Sequence, residues 1–168
     1  MDQVLDAARH YLSHRPHSVE EVRRRLLRTY DRPLVEEAVS RLIANSTLDD
    51  AAFARFWLEN RDLHRPKGAA AIRWELLRLG VSREVVDHAL QGLDERESAY
   101  RAAQLALRKL KHDAPATLRT RLLAYLRRRG FPYEVAKQAV DRVGADLSDA
   151  GNGDVEGHRH QDQPKDVL

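Results

Sequence analysis

Apolar residues recur along this chain at helical spacing, and whole stripes of them come back at a fixed interval. Ile72, Leu76 and Leu79 fall on one face of a 3.6-residue helix, Gly80 ends it, and Ser82 is placed to cap the next helix, where Val85, Ala89 and Leu93 restore an apolar stripe. A shift of 50 residues in either direction returns the first stripe as Val22 with Leu26 and as Leu122 with Leu126. The second stripe returns as Val135, Ala139 and Val143. It also returns as Leu34, Ala38 and Leu42, at a shift of 51, because the turn Thr29-Tyr30-Asp31 lacks one residue. A slip confined to a turn marks related helical units, since turns tolerate deletions and helix interiors do not.

The segments between these pairs supply one further helix per unit. Residues 2–14 place Val4, Ala7, Ala8, Tyr11 and Leu12 on one side, and Ser18-Val19-Glu20-Glu21 has the spacing of a capping box that starts the next helix. Asp31-Arg32-Pro33 fits an N-cap with proline in the first turn. After the polar junction Asn45-Ser46-Thr47, in which Asn45 suits left-handed geometry, Asp49 or Asp50 can cap a helix whose bulky face, Phe53, Phe56 and Trp57, is expected to pack between units. A long helix from Glu95 to Lys111 turns Tyr100, Ala103, Leu107 and Leu110 inward, and Asp113-Ala114-Pro115 opens the next. The expected fold is all-α: three tandem three-helix repeats at 1–46, 47–94 and 95–143. A disordered acidic tail is expected at 144–168, where periodicity ends.

Composition narrows the shape and the function. With 33% charged and 6% aromatic residues, each helix can bury only one face, so the array is expected to be elongated, without a deep pocket, and monomeric, its faces being satisfied internally. The absence of cysteine excludes disulfides and thiolate chemistry. No apolar run approaches the roughly 18 residues that span a bilayer, and the start MDQVLDAARHYL lacks a leader pattern, so a cytosolic protein is expected. Charge is uneven: residues 1–96 hold 16 basic and 16 acidic residues, whereas residues 97–143 hold 11 basic against four acidic. The third unit is thus polarised toward an anionic partner.

Catalysis has little to build on. There is no phosphate-binding Gly-Lys-Ser/Thr loop, no Gly-x-Ser-x-Gly elbow and no His-Glu-x-x-His, so no enzyme activity and no cofactor is expected. His10 and His14, four apart with His17 near by, lack an acidic third ligand and read as surface histidines. A helix-turn-helix base reader would carry its arginines after the turn, but here they precede it: Arg24 and Arg28 in the first unit, Arg121, Arg127, Arg128 and Arg129 in the third. Arg121, Tyr125 and Arg128 stand at i, i+4 and i+7, an aromatic between two guanidiniums. This pattern suits phosphate backbone or an acidic protein groove, without sequence readout.

Taken in order, Leu48-Asp49-Asp50 with Phe53, then Gly68, Ile72, Leu76 and Gly80, then Gly130-Phe131 with Tyr133, make residues 5–143 resemble the RecX family, bacterial modulators of the recombinase RecA. The resemblance implies a curved array of three three-helix units that lies in the groove of the RecA filament. It also implies contact with single-stranded DNA through phosphates, and limits on ATP hydrolysis, strand exchange and co-protease activity without chemistry of its own. The turn glycine common in the family is replaced by Tyr30-Asp31 in the first unit, and the tail is outside the match. The alternative from composition alone is a sequence-independent nucleic-acid binder with no dedicated protein partner.

Overall fold

The structure, a computed structural model, describes residues 1–110 and 114–153. Among these the chain forms nine α-helices and no strand: α1 (Asp2–Leu12), α2 (Val19–Leu26), α3 (Arg32–Ala44), α4 (Asp50–His64), α5 (Ala69–Arg78), α6 (Arg83–Leu90), α7 (Glu95–Leu110), α8 (Pro115–Arg128) and α9 (Tyr133–Gly153). Helices that pack extensively on one another always belong to the same consecutive triplet. Each triplet has its own core, built around Val22, Leu26, Ala38 and Leu42 in the first, Phe53, Ile72, Leu76 and Val86 in the second, and Leu122, Leu126, Phe131 and Ala136 in the third. All three tandem three-helix units are therefore present, as the repeat requires.

Several expected signals form as read. Ser18 and Glu21 close the capping box of α2, the hydroxyl accepting from Glu21 N at 3.1 Å and the carboxylate accepting from Ser18 N at 3.0 Å. Asp49 caps α4 by accepting from Ala51 N and Ala52 N, and Ser82 caps α6. Caps of this kind each stabilise a helix by about 1 kcal/mol. Gly80 and Gly130 end α5 and α8 with φ of +86° and +85°. At the junction the left-handed residue is Ser46, with φ +58°, and not Asn45. Asn45 instead accepts from Thr47 N through its side-chain carbonyl, and Leu48 folds back into the first core.

Other expectations need correction. In the third helix of each unit the most buried residue lies one position after the stripe begins: Val35, Val86 and Ala136 are fully buried, whereas Leu34 is 39% exposed and Val85 and Val135 are partly so. Helical side chains lean toward the N-terminus, which moves the start of the buried arc one residue along the chain, while Ala38, Leu42, Ala139 and Val143 are buried as expected. Alanines fill the core-facing side of α7, namely Ala99, Ala102, Ala103 and Ala106, while Tyr100, Leu107 and Leu110 pack at the margin. Phe53 is buried and Trp57 half-buried, but Phe56 is exposed. His17, read as a surface histidine, is buried and stacked on Tyr11 at 3.8 Å between ring centroids. The acidic segment is not structureless from 144: α9 continues to Gly153, because Val140, Val143 and Leu147 maintain helical spacing along α8 and the Tyr100 hydroxyl donates to Asp146 at 2.5 Å. Residues 154–168, with Lys111 and Asp113, lie outside the described residues.

A seam of one design joins the units twice. At the first, the Ser18 hydroxyl donates to Leu79 O at 2.5 Å, Glu20 lies against Gly80, and Asp50, the first residue of α4, accepts from Val19 N at 2.9 Å. At the second, Gly68 N donates to Arg129 O at 3.0 Å, Ala71 lies against Gly130, and Glu95, the first residue of α7, accepts from Ala69 N at 2.8 Å. In both, the start of a unit's second helix meets the glycine turn of the next unit, and an acidic side chain from that unit satisfies a backbone N–H left open at the helix start.

Candidate functional site: a basic cleft at the second seam

The family-motif residues turn out to be structural. Leu48, Phe53, Ile72, Leu76 and Phe131 are core, Asp49 and Asp50 are caps, and Gly68, Gly80 and Gly130 form the seams. Tyr133 opens α9 and is half exposed. None of them lines a cleft of about 640 Å³ between the end of α4, the end of α7 and the outer face of α8.

That cleft holds Arg121, Tyr125, Arg128 and Arg129, so the structure does bring the i, i+4, i+7 cluster of α8 together. It adds His64, Arg65, Arg108 and Lys109, which come from two other helices and were not singled out as a site in the sequence. Among the described residues no carboxylate lines the cleft, and Arg65, Arg108, Lys109 and Arg128 form no ion pair. Arg129 is half-buried: its guanidinium lies 4.8 Å from the Tyr125 ring centroid and donates to Pro66 O at 3.3 Å, so it braces the seam as well as the cleft floor. A guanidinium on an aromatic face is held at about 0.5–1 kcal/mol where water reaches it.

Several cations of the other units are paired with carboxylates. Fifty residues before Tyr125 stands Glu75, which accepts from Trp57 Nε1 at 2.8 Å, from Arg61 Nε at 2.9 Å and from Lys67. Burial pushes the Glu75 carboxyl up, but these three donors outweigh it and hold the group below the usual glutamate range. In the first unit Arg24 pairs with Glu20 at 2.8 Å, and Arg23 with Glu20 and Glu36. Arg24 on α2 and exposed Arg28, in the turn after it, are not among the cleft residues, and Arg127 faces elsewhere on α8, donating to Phe131 O at 3.3 Å. The substitution of tyrosine for the carboxylate at this repeat position, the signal that could have located the cleft, becomes visible only once the units are aligned on Gly80 and Gly130.

Three small helical units, joined by a repeated seam and opening a cationic cleft, define a tandem-repeat binding scaffold of the all-α class. Family profiles described as the first, second and third three-helix domains of RecX match residues 5–42, 49–90 and 94–140. The regulatory protein RecX of Chlorobium limicola is 33% identical over 133 residues, covering 79% of this chain and 84% of its own. That of Prosthecochloris aestuarii is 31% identical, covering 84% and 93%. The crystal structure of RecX from Lactobacillus salivarius superposes with a TM-score of 0.72 at 20% identity, covering 86% of this chain and 96% of that one, a likeness of fold. This chain belongs to the RecX family of regulatory proteins.

Proposed function

We propose that the protein modulates the RecA recombinase by lying along the RecA nucleoprotein filament, and that the basic cleft at the second seam receives phosphates of the DNA the filament encloses. The observation that carries this reading is the cationic lining of the cleft by Arg65, Arg108, Lys109 and Arg128, unopposed by any described carboxylate. Cations laid along helices without base-reading polar groups suit backbone contact. Repeated units each make modest contacts, and their tethering raises the effective concentration of the next. The expected outcome is inhibition of ATP hydrolysis, strand exchange and co-protease activity by occupancy of the filament, with no bond made or broken by the modulator. It acts as a monomer in the cytoplasm; no described helix is long and apolar enough to cross a membrane.

The second reading, a general nucleic-acid binder, is favoured by the same cleft and separated from the first by one experiment. Co-sedimentation with RecA filaments and with naked single-stranded DNA is measured at two ionic strengths. A filament modulator is retained on filaments at a salt concentration that strips it from naked DNA. Equal loss from both leaves the general binder.

A further inference from the structure

The solvent face of α5 carries a feature that the core does not need and the cleft does not include. Trp74 is 59% exposed, on the side of the helix away from buried Ile72 and Leu76. The Arg78 guanidinium lies 4.5 Å from its ring centroid, one turn along. Ala70, one turn before, is exposed and too small to shield the ring, and Leu77 beside it is 37% exposed. The repeat places Arg24 and Ala124 at the equivalent positions of the first and third units, so the ring belongs to the middle unit alone. The other tryptophan, Trp57, is half-buried and hydrogen-bonded to Glu75, a structural use that Trp74 lacks.

Position and charge identify the occupant. The start of α5 is in contact with the turn that ends α8: Gly68 N donates to Arg129 O, and Arg129 lines the basic cleft. Trp74 is six residues along α5 from Gly68, about 9 Å at the helical rise. A strand that leaves the cleft along α5 would meet this aromatic plate on that helix. Trp74 lines neither the basic cleft nor the apolar groove along α8 and α9. A base needs a flat face and a nearby cation, and Trp74 with Arg78 supplies both.

We propose that Trp74, braced by Arg78, is a stacking platform for an unpaired base of a single strand whose phosphates occupy the basic cleft. The inference rests on the phosphate reading of that cleft. Stacking of this kind tolerates any base and distinguishes single strands from duplexes, whose bases are already stacked.

The test is titration of the full chain with an oligo(dT) single strand, reading fluorescence anisotropy of the labelled DNA and intrinsic tryptophan emission together. For the parent, emission should fall saturably, in step with the anisotropy. Trp74→Phe, in which Trp57 is the only tryptophan, should bind within about twofold, since a phenyl ring still stacks, and should show no quenching of tryptophan emission. Trp74→Ala should bind the single strand about tenfold more weakly and a duplex of equal length unchanged. Binding without quenching in the parent, or equal quenching in Trp74→Phe, overturns the platform and leaves the cleft standing. So does unaltered binding by Trp74→Ala, or a loss seen only in its retention on filaments, which makes the ring a protein contact. Failure of the parent to bind oligo(dT) at all overturns the platform together with the phosphate reading, and Arg108→Ala/Arg128→Ala in the same assay reports that reading separately.

Discussion

His17 shows how one buried group ties stability to pH. Both ring nitrogens are shut away from solvent without a hydrogen bond, the ring stacks on Tyr11, and Arg15 and Glu21 face it, with Nδ1 3.7 Å from Glu21 Oε1. Burial, reinforced by Arg15 and opposed by Glu21, lowers its pKa below the ordinary histidine value. The unfolded chain then binds the proton at a higher pH than the folded one, so stability falls as pH drops through about 6.5 and below. Thermal melts should show a lower Tm at pH 5.5 than at pH 7.5, and His17→Leu should flatten the difference. An unchanged slope in that variant would place the titration elsewhere. Glu75 gives a second dependence of the same sign: its pKa is depressed, so its contribution is present above the usual glutamate range and is lost in acid. Glu75→Gln should cost about 2 kcal/mol at pH 7, because three donors lose a charged acceptor, and much less at pH 3 in denaturant titrations.

At the scale of elements, the seams explain which residues the family motif contains. A Cβ on Gly68 would collide with the Gly130 carbonyl, and one on Gly130, at φ +85°, would meet Ala71 Cβ at 2.7 Å. The obstacle to Gly68 is backbone, which cannot swing aside. Gly68→Ala should therefore destabilise the protein by about 1–3 kcal/mol and speed hydrogen exchange at the second seam while the first stays protected. Uniform loss of protection would mean that the units do not open separately. Glycine at a helix end, hydroxyl at a cap and carboxylate at a helix start were all legible in the sequence, because each answers a local need of the backbone. Asp50 and Glu95 were legible only as helix-start residues of their own units. Their bonds to Val19 N and Ala69 N join residues 31 and 26 positions apart, which no periodicity encodes. In the third helices only the first residue of each stripe was off: Ala38, Leu42, Ala139 and Val143 are buried as read, while Val35, Val86 and Ala136 take the place of Leu34, Val85 and Val135.

The whole molecule separates architecture from contact. The cleft was only half legible: Arg121, Tyr125, Arg128 and Arg129 follow from spacing on α8, but Arg65, Arg108 and Lys109 arrive from the ends of α4 and α7 through the fold. Tyr30 replaces the turn glycine in the first unit, and its hydroxyl donates to Gln3 O at 3.4 Å.

The most direct test of the cationic cleft as the working surface is DNA-dependent ATP hydrolysis by the cognate RecA, titrated with this protein from well below stoichiometric. The parent is compared with Arg108→Ala/Arg128→Ala, shown by circular dichroism and melting to be folded. Both side chains are exposed and form no described ion pair, so the pair of substitutions removes charge and leaves packing intact. The expected result is inhibition by the parent at low ratio and a shift of at least about tenfold in the amount of variant required. Equal inhibition by the folded variant would contradict the cleft as the site of contact, and no inhibition by the parent at equimolar ratio would contradict the modulator itself.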